Sequence, residues 1–151
     1  MFDYDNVTLR SSWGVYAIVR KRTDWLYIGK TQTCFLVRWE KHLYELARGK
    51  HKNSKLQSDW VIYGSSAFGF RILESYSGKP PISAWGYYRE WFYQRQNRNK
   101  NLYNRTDWKD MSLSIRKIRL HCPELLSALS PDSVGDILEY IPDQEGRTNT
   151  R

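Results

Sequence analysis

The order of apolar and polar positions along the chain changes period several times, and each change marks an element. Val15-Tyr16-Ala17-Ile18-Val19 is β-branched and aromatic without charge, the composition of a strand. The polar stretch 20–24, Arg-Lys-Arg-Thr-Asp, suits a turn, and Trp25-Leu26-Tyr27-Ile28-Gly29 reads as a second strand closed by a glycine. Two strands with so short a connection predict an antiparallel hairpin. From Phe35 to Gly49 the period lengthens: Leu36, Trp39, Leu43 and Leu46 fall on one helical face, and Gly49 supplies a stop. Asn53 or Ser54 caps a second helix with Leu56, Trp60 and Tyr63 on its apolar side and Gly64 at its end. Phe68, Phe70 and Ile72 alternate with Gly69 and Arg71, as in a half-buried strand. The loop 77–81, Ser-Gly-Lys-Pro-Pro, precedes a third helix over 82–96. The order β-β-α-α-β-α predicts an α+β fold, a small three-stranded antiparallel sheet flanked by helices.

After Asn104 the character shifts. Helices are expected over 112–120, 123–129 and 131–140, the last two opened by Pro123 and Pro131, with a frayed tail over 144–151. A boundary near Trp108 would divide a compact domain over 1–108 from a C-terminal helical extension over 109–151. No apolar run approaches the roughly 20 residues needed to span a bilayer, and Met1-Phe2-Asp3-Tyr4-Asp5 does not begin a secretory leader. Cys34 and Cys122 lie far apart without metal-binding spacing and read as free thiols of a reducing compartment. A soluble, cytoplasmic protein is the expectation.

Charge narrows the class of partner. The net charge is +8, and it is uneven: residues 1–109 carry +10 and residues 110–151 carry −2. A positive field of this kind attracts polyanions, although basic domains without a nucleic-acid partner are also common. The acidic balance of the last forty residues argues against extensive phosphate contact there and leaves dimerisation or docking open.

One set of residues carries chemistry. Gly14-Val15-Tyr16 and Tyr27-Ile28-Gly29 stand on the paired strands. Arg38-Trp39-Glu40-Lys41-His42, Leu56-Gln57, Phe70-Arg71-Ile72-Leu73-Glu74, Arg89-Glu90-Trp91-Phe92 and Tyr103-Asn104 follow in that order. Arg38 and His42 sit at i, i+4, so both project from one side of the first helix, offset from its apolar face and free to border a cleft. Glu90 is the single acidic residue of an otherwise basic and aromatic third helix. A lone carboxylate beside a phosphate site suits Mg²⁺, which takes one or two carboxylates and keeps several waters. In this combination the chain, over roughly residues 13–104, resembles the GIY-YIG nuclease superfamily, most of all its phage and intron-encoded members; Val15 replaces the family's isoleucine and keeps its β-branched shape.

The resemblance implies a metal-dependent endonuclease that hydrolyses the DNA backbone, with one Mg²⁺ (or Mn²⁺) per active site. It implies Tyr16 as the general base, which requires a depressed phenol pKa at neutral pH, and Tyr27 as a second phenol on the phosphate or the water. Taken singly, each would be a cross-strand packing residue. Arg38 resembles the clamp on the scissile phosphate, His42 an aid to proton movement with a pKa near neutrality, Glu90 the metal ligand and Asn104 a structural asparagine. Their plain alternatives are a solvated arginine, a bonded helix histidine, an ion pair of Glu90 with Arg89 or Arg95, and a turn residue. The basic link Arg48-Gly49-Lys50-His51-Lys52-Asn53-Ser54-Lys55 suits phosphate contacts as well as it suits a solvated loop, and Lys30 is placed to lower the pKa of a nearby tyrosine. A homing-type or free-standing phage nuclease is the leading expectation. A restriction enzyme, a repair incision nuclease and a DNA-binding module without catalysis are the alternatives, and a homodimer stays open because one site cuts one strand at a time.

Overall fold

In the computed structural model, residues 6–80, 82–104 and 112–124 are described. Helix α1 (Asn6–Ser11), which no pattern in the sequence announced, leads into strand β1 (Ser12–Arg20). Strand β2 (Trp25–Thr31), helices α2 (Phe35–Ala47) and α3 (Ser54–Tyr63), strand β3 (Phe68–Ser77) and helix α4 (Ser83–Gln96) follow in the expected order. A two-residue strand β4 (Asn101–Leu102) and helix α5 (Ser112–His121) complete the described elements. The hairpin pairs Tyr16 with Gly29 and Ile18 with Tyr27. β3 lies antiparallel on the other side of β1, and β4 joins β2 in parallel, so the sheet runs β3-β1-β2-β4. The α+β class stands, but the sheet is four-stranded and mixed rather than three-stranded and antiparallel. Two residues are too few to leave a periodic trace in the sequence.

β1 is central and buried along both faces, as its run of apolar residues demands. Tyr16 and Ile18 turn toward α2 and α3 and pack with Phe35, Trp39, Leu46, Leu56 and Phe70. Val15, Ala17 and Val19 turn the other way with Leu26 and Ile28, against Tyr93 of α4. α5 lies on α4, where Ile115 and Ile118 join Trp13, Trp85 and Tyr88; each such buried side chain contributes about 2 kcal/mol. The helix expected over 112–120 is therefore present and packed on α4. The boundary near Trp108, nearly all of the helix over 123–129, the helix over 131–140 and the tail lie outside the described residues. Among the described residues no helix is long and apolar enough to cross a membrane, and Cys34 and Cys122 are free thiols.

Two helical faces differ from the expected ones. The buried side of α2 consists of Phe35, Trp39, His42 and Leu46, while Leu43 is 38 % exposed. His42 takes the inward place that the leucine pattern assigned to Leu43. On α3, Leu56 and Asp59 are buried and Tyr63 is 52 % exposed, its ring covered by the Arg20 guanidinium at 4.4 Å.

Candidate active site

The hairpin is shaped by its two motif glycines. Gly14 has φ +149°, and a Cβ there would lie 2.0 Å from the Glu74 carbonyl oxygen, so only glycine lets β1 approach β3 at this point. The β1–β3 register slips between Val15 and Tyr16, a bulge that re-aims the tyrosine. Gly29 faces Tyr16 across the ladder, and a Cβ there would stand 2.5 Å from the phenol oxygen. The glycine of the second tripeptide thus leaves the space that the tyrosine of the first one fills.

Around that oxygen the site is assembled. Tyr16 is fully buried, its Oη lies 2.5 Å from Nε2 of His42, and Nε of Arg38 donates to it at 3.3 Å. Nδ1 of His42 lies 2.8 Å from Nε2 of His51, whose Nδ1 accepts the backbone N–H of Asn53 at 3.0 Å. The Tyr27 ring stands edge-on to both imidazoles, 5.4 Å from His42 and 5.7 Å from His51. Asn53 is itself pinned: its Oδ1 caps α3 through the Leu56 N–H, and its Nδ2 donates to the Tyr103 carbonyl. Gln57 ties the same link to α2, accepting from His51 N–H and donating to the Leu46 carbonyl.

The electrostatics reverse two expectations. Burial holds the Tyr16 phenol well above its ordinary pKa, against the opposing charge of Arg38. Burial, then the Glu90 carboxylate, raises Tyr27 as well. Neither phenol is shifted in the downward direction expected of a general base. His42, expected near neutrality at a cleft, is 3 % exposed and pushed down to about 3 by burial and by the charge of Arg38. His51, expected among the phosphate-contacting residues, is 8 % exposed and turned inward onto His42, because its ring nitrogens are used within the protein; its pKa is also lowered by burial.

The other expected site residues take distinct places. Arg38 is half-buried and Glu90 partly exposed on α4, near enough to act on both phenols. The Arg89 guanidinium grips Glu74 with two bonds, so Arg89 is not the partner that an ion-pair reading of Glu90 required. Asn104 bonds both backbone atoms of Ile28, accepting its N–H at 2.6 Å and donating to its carbonyl at 2.8 Å, next to Tyr27. Lys30 lies over the exposed Tyr87 ring at 4.1 Å rather than beside a hairpin phenol. Arg48, Lys50, Lys52 and Lys55 are exposed, with Arg48 over Tyr44 and Lys55 paired to Asp59. Asp59 itself gave no sign in the sequence: it is buried and bonded by Arg20, Lys55 and Tyr103. Burial would raise its carboxyl, but those bonds outweigh it and hold the pKa below the ordinary value.

Two donor sets could hold a cation. The Glu90 carboxylate offers a hard oxygen donor beside the phenols and fits Mg²⁺, which completes its shell with water and phosphate oxygens. His42, Glu45 and His51 bring ligand atoms within 4.8 Å of one another, a nitrogen-rich set better suited to a transition metal. There the facing nitrogens of the two histidines are already bonded to each other.

An α+β domain that gathers two phenols and a guanidinium, with a carboxylate in electrostatic reach, has the equipment of a hydrolase acting on phosphate esters. The chain belongs to the GIY-YIG family: the model described as GIY-YIG catalytic domain matches residues 12–104. It is thus a nuclease. Among solved structures it is similar to the catalytic domain of homing endonuclease I-TevI, with 29 % identity and a TM-score of 0.55 over 63 % of this chain and 99 % of that one. It is also similar to the catalytic domain of intron endonuclease I-TevI carrying a glutamate-to-alanine mutation, with 26 % identity and a TM-score of 0.52 over 58 % of this chain and 84 % of that one. No curated protein matches the chain.

Proposed function

We propose that the protein is a Mg²⁺-dependent, homing-type or free-standing phage DNA endonuclease that makes one nick per active site by direct attack of water. The observation that supports it best is the meeting of Arg38 and His42 on one oxygen of Tyr16, with Tyr27 beside the histidines and the charge of Glu90 reaching both phenols. Arg38 lies against a buried phenol, so an arriving phosphate draws the guanidinium onto itself and opens Tyr16 Oη to water. Tyr16, once uncovered, gives its own proton to solvent, and the phenolate then takes a proton from the attacking water as the water oxygen bonds to phosphorus and the sugar oxygen leaves. Tyr27, the more exposed phenol, donates to the phosphate. Glu90 would hold the divalent cation, which would supply positive charge near the two phenols that the bare carboxylate raises. The basic link and the +10 balance of residues 1–109 favour DNA as the polyanion. Such a protein would act in the cytoplasm of a bacterial or phage-infected cell.

The test is supercoiled plasmid with the full chain and Mg²⁺. Nicking that stops with EDTA and in Glu90→Ala is expected. No nicking, or nicking that survives both, would overturn the assignment. A site-specific double-strand cut by paired copies would favour the restriction alternative instead.

A further inference from the structure

The hydrogen-bond chain that ends on Tyr16 has a direction. The backbone N–H of Asn53 can only donate, so Nδ1 of His51 is an acceptor and carries no proton. A neutral His51 then holds its proton on Nε2, which points at His42 Nδ1 at 2.8 Å. That contact has room for one proton, so His42 Nδ1 is in turn an acceptor, and the His42 proton sits on Nε2, facing Tyr16 Oη. Both rings are buried and hydrogen-bonded within the protein, an environment that suits neutral imidazoles.

We infer that His51 and His42 form a fixed donor chain, Asn53 N–H to His51 to His42 to Tyr16, which positions the phenol and does not shuttle its proton. The inference rests on the nuclease reading for its use and on geometry for its direction. Nε2 of His42 is already protonated and cannot accept the phenolic hydrogen. The Tyr16 O–H must therefore take a direction that neither of the donors to this oxygen occupies, His42 Nε2–H or Arg38 Nε–H. When Arg38 moves to the phosphate and the phenol gives its proton to solvent, the His42 N–H remains as the donor that steadies the phenolate. With the opposite tautomer the O–H would be turned inward and held there, and the base would be unavailable. His51 is thus a positioning residue. The device depends on Asn53, whose side chain is clamped at both ends so that its N–H stays aimed.

The direct test is nitrogen NMR of the ¹⁵N-histidine-labelled full chain without DNA or metal. Protonated Nε2 and bare Nδ1 on both His42 and His51 are expected; a proton on His42 Nδ1, or a charged ring, overturns the inference. Two variants read its consequence. His51→Gln keeps an N–H facing His42 and should leave kcat within about threefold, whereas His51→Glu presents an acceptor, inverts the His42 tautomer and should lower kcat about 100-fold at unchanged KM. Equal losses in both variants would overturn it as well. Because the tautomer is read without cleavage, an inactive wild-type protein would count against the proposed function and not against the proton order.

Discussion

The two faces of the sheet bury charge and polarity in opposite ways. On the α2–α3 face, Tyr16, His42, His51 and Asp59 are all sunk among apolar side chains, and each has its polar atoms engaged by named partners. On the α4–α5 face the core is aromatic, and its central ion pair, Arg89 with Glu74, is ringed by Trp85, Tyr88, Phe92 and Tyr93. The first face uses its buried polarity to hold one phenol beside one guanidinium; the second uses it to lock a helix to a strand. In the proposed reading the first face positions the phenol and the guanidinium and α4 adds only Glu90, whereas the Arg89–Glu74 pair of the second face serves the fold.

Substitutions on the two faces should separate the two properties. Arg38→Ala removes the donor over Tyr16 and the proposed phosphate clamp; nicking should fall about 10²–10³-fold, while urea unfolding shifts by less than about 0.5 kcal/mol, since Arg38 is half-exposed. Arg89→Met should do the reverse. It strands the Glu74 carboxylate among aromatic rings, so stability should fall by about 3 kcal/mol, with the rate per folded molecule nearly unchanged. If Arg89→Met slowed cleavage as much as Arg38→Ala without unfolding the protein, the division between the faces would be wrong.

What could be read in the sequence follows the same division. The hairpin, four of the helices and β3 were legible because local stretches carry period two or 3.6, and the two motif tripeptides fixed the hairpin further. The inward turn of His42 was not legible. The leucines at 36, 43 and 46 outweigh a histidine in any hydrophobic pattern, and only the partners Tyr16 and His51, each distant in sequence or across a link, make its burial tolerable. His51 looked like one cation in a basic run for the same reason. The burial of Asp59 was not legible because only Lys55, four residues earlier on α3, is a local partner, while Arg20 and Tyr103 come from distant parts of the sequence. The residues of the site were thus readable as a set, whereas which of them turn inward and which stay exposed required coordinates.

The neutral histidines make the first face sensitive to acid. His42 titrates near 3 in the folded protein against 6.5 in an unfolded chain, so the unfolded state binds the extra proton as pH falls. The stability it confers is complete above 6.5 and is lost progressively from 6.5 down to about 3, at up to about 1.4 kcal/mol per pH unit. His51, also lowered by burial, acts in the same direction. Asp59 contributes only further down, since its folded pKa lies below 3.8. Urea midpoints should therefore fall between pH 6.5 and 4, and His42→Asn should flatten that decline. A wild-type midpoint that stays level over this range would mean that the histidines are not held neutral by burial.

The smallest effects should lie on the link that joins α2 to α3, where the two kinds of residue alternate. Lys50 and Lys52 are exposed on either side of the inward His51. If they contact phosphates, each Lys→Ala change should reduce the slope of log K against log salt by about 0.9 and leave unfolding unaffected. Lys55 should behave differently, because its ammonium lies 3.1 Å from the buried Asp59 carboxylate, which neutralises part of its attraction for DNA. Lys55→Ala should change the salt slope by less and stability by more, as Asp59 then keeps only Arg20 and Tyr103. An equal slope change for all three lysines would mean that the link meets DNA as an undifferentiated basic loop, and that the inward and outward roles seen at His51 and Lys50 do not extend to its far end.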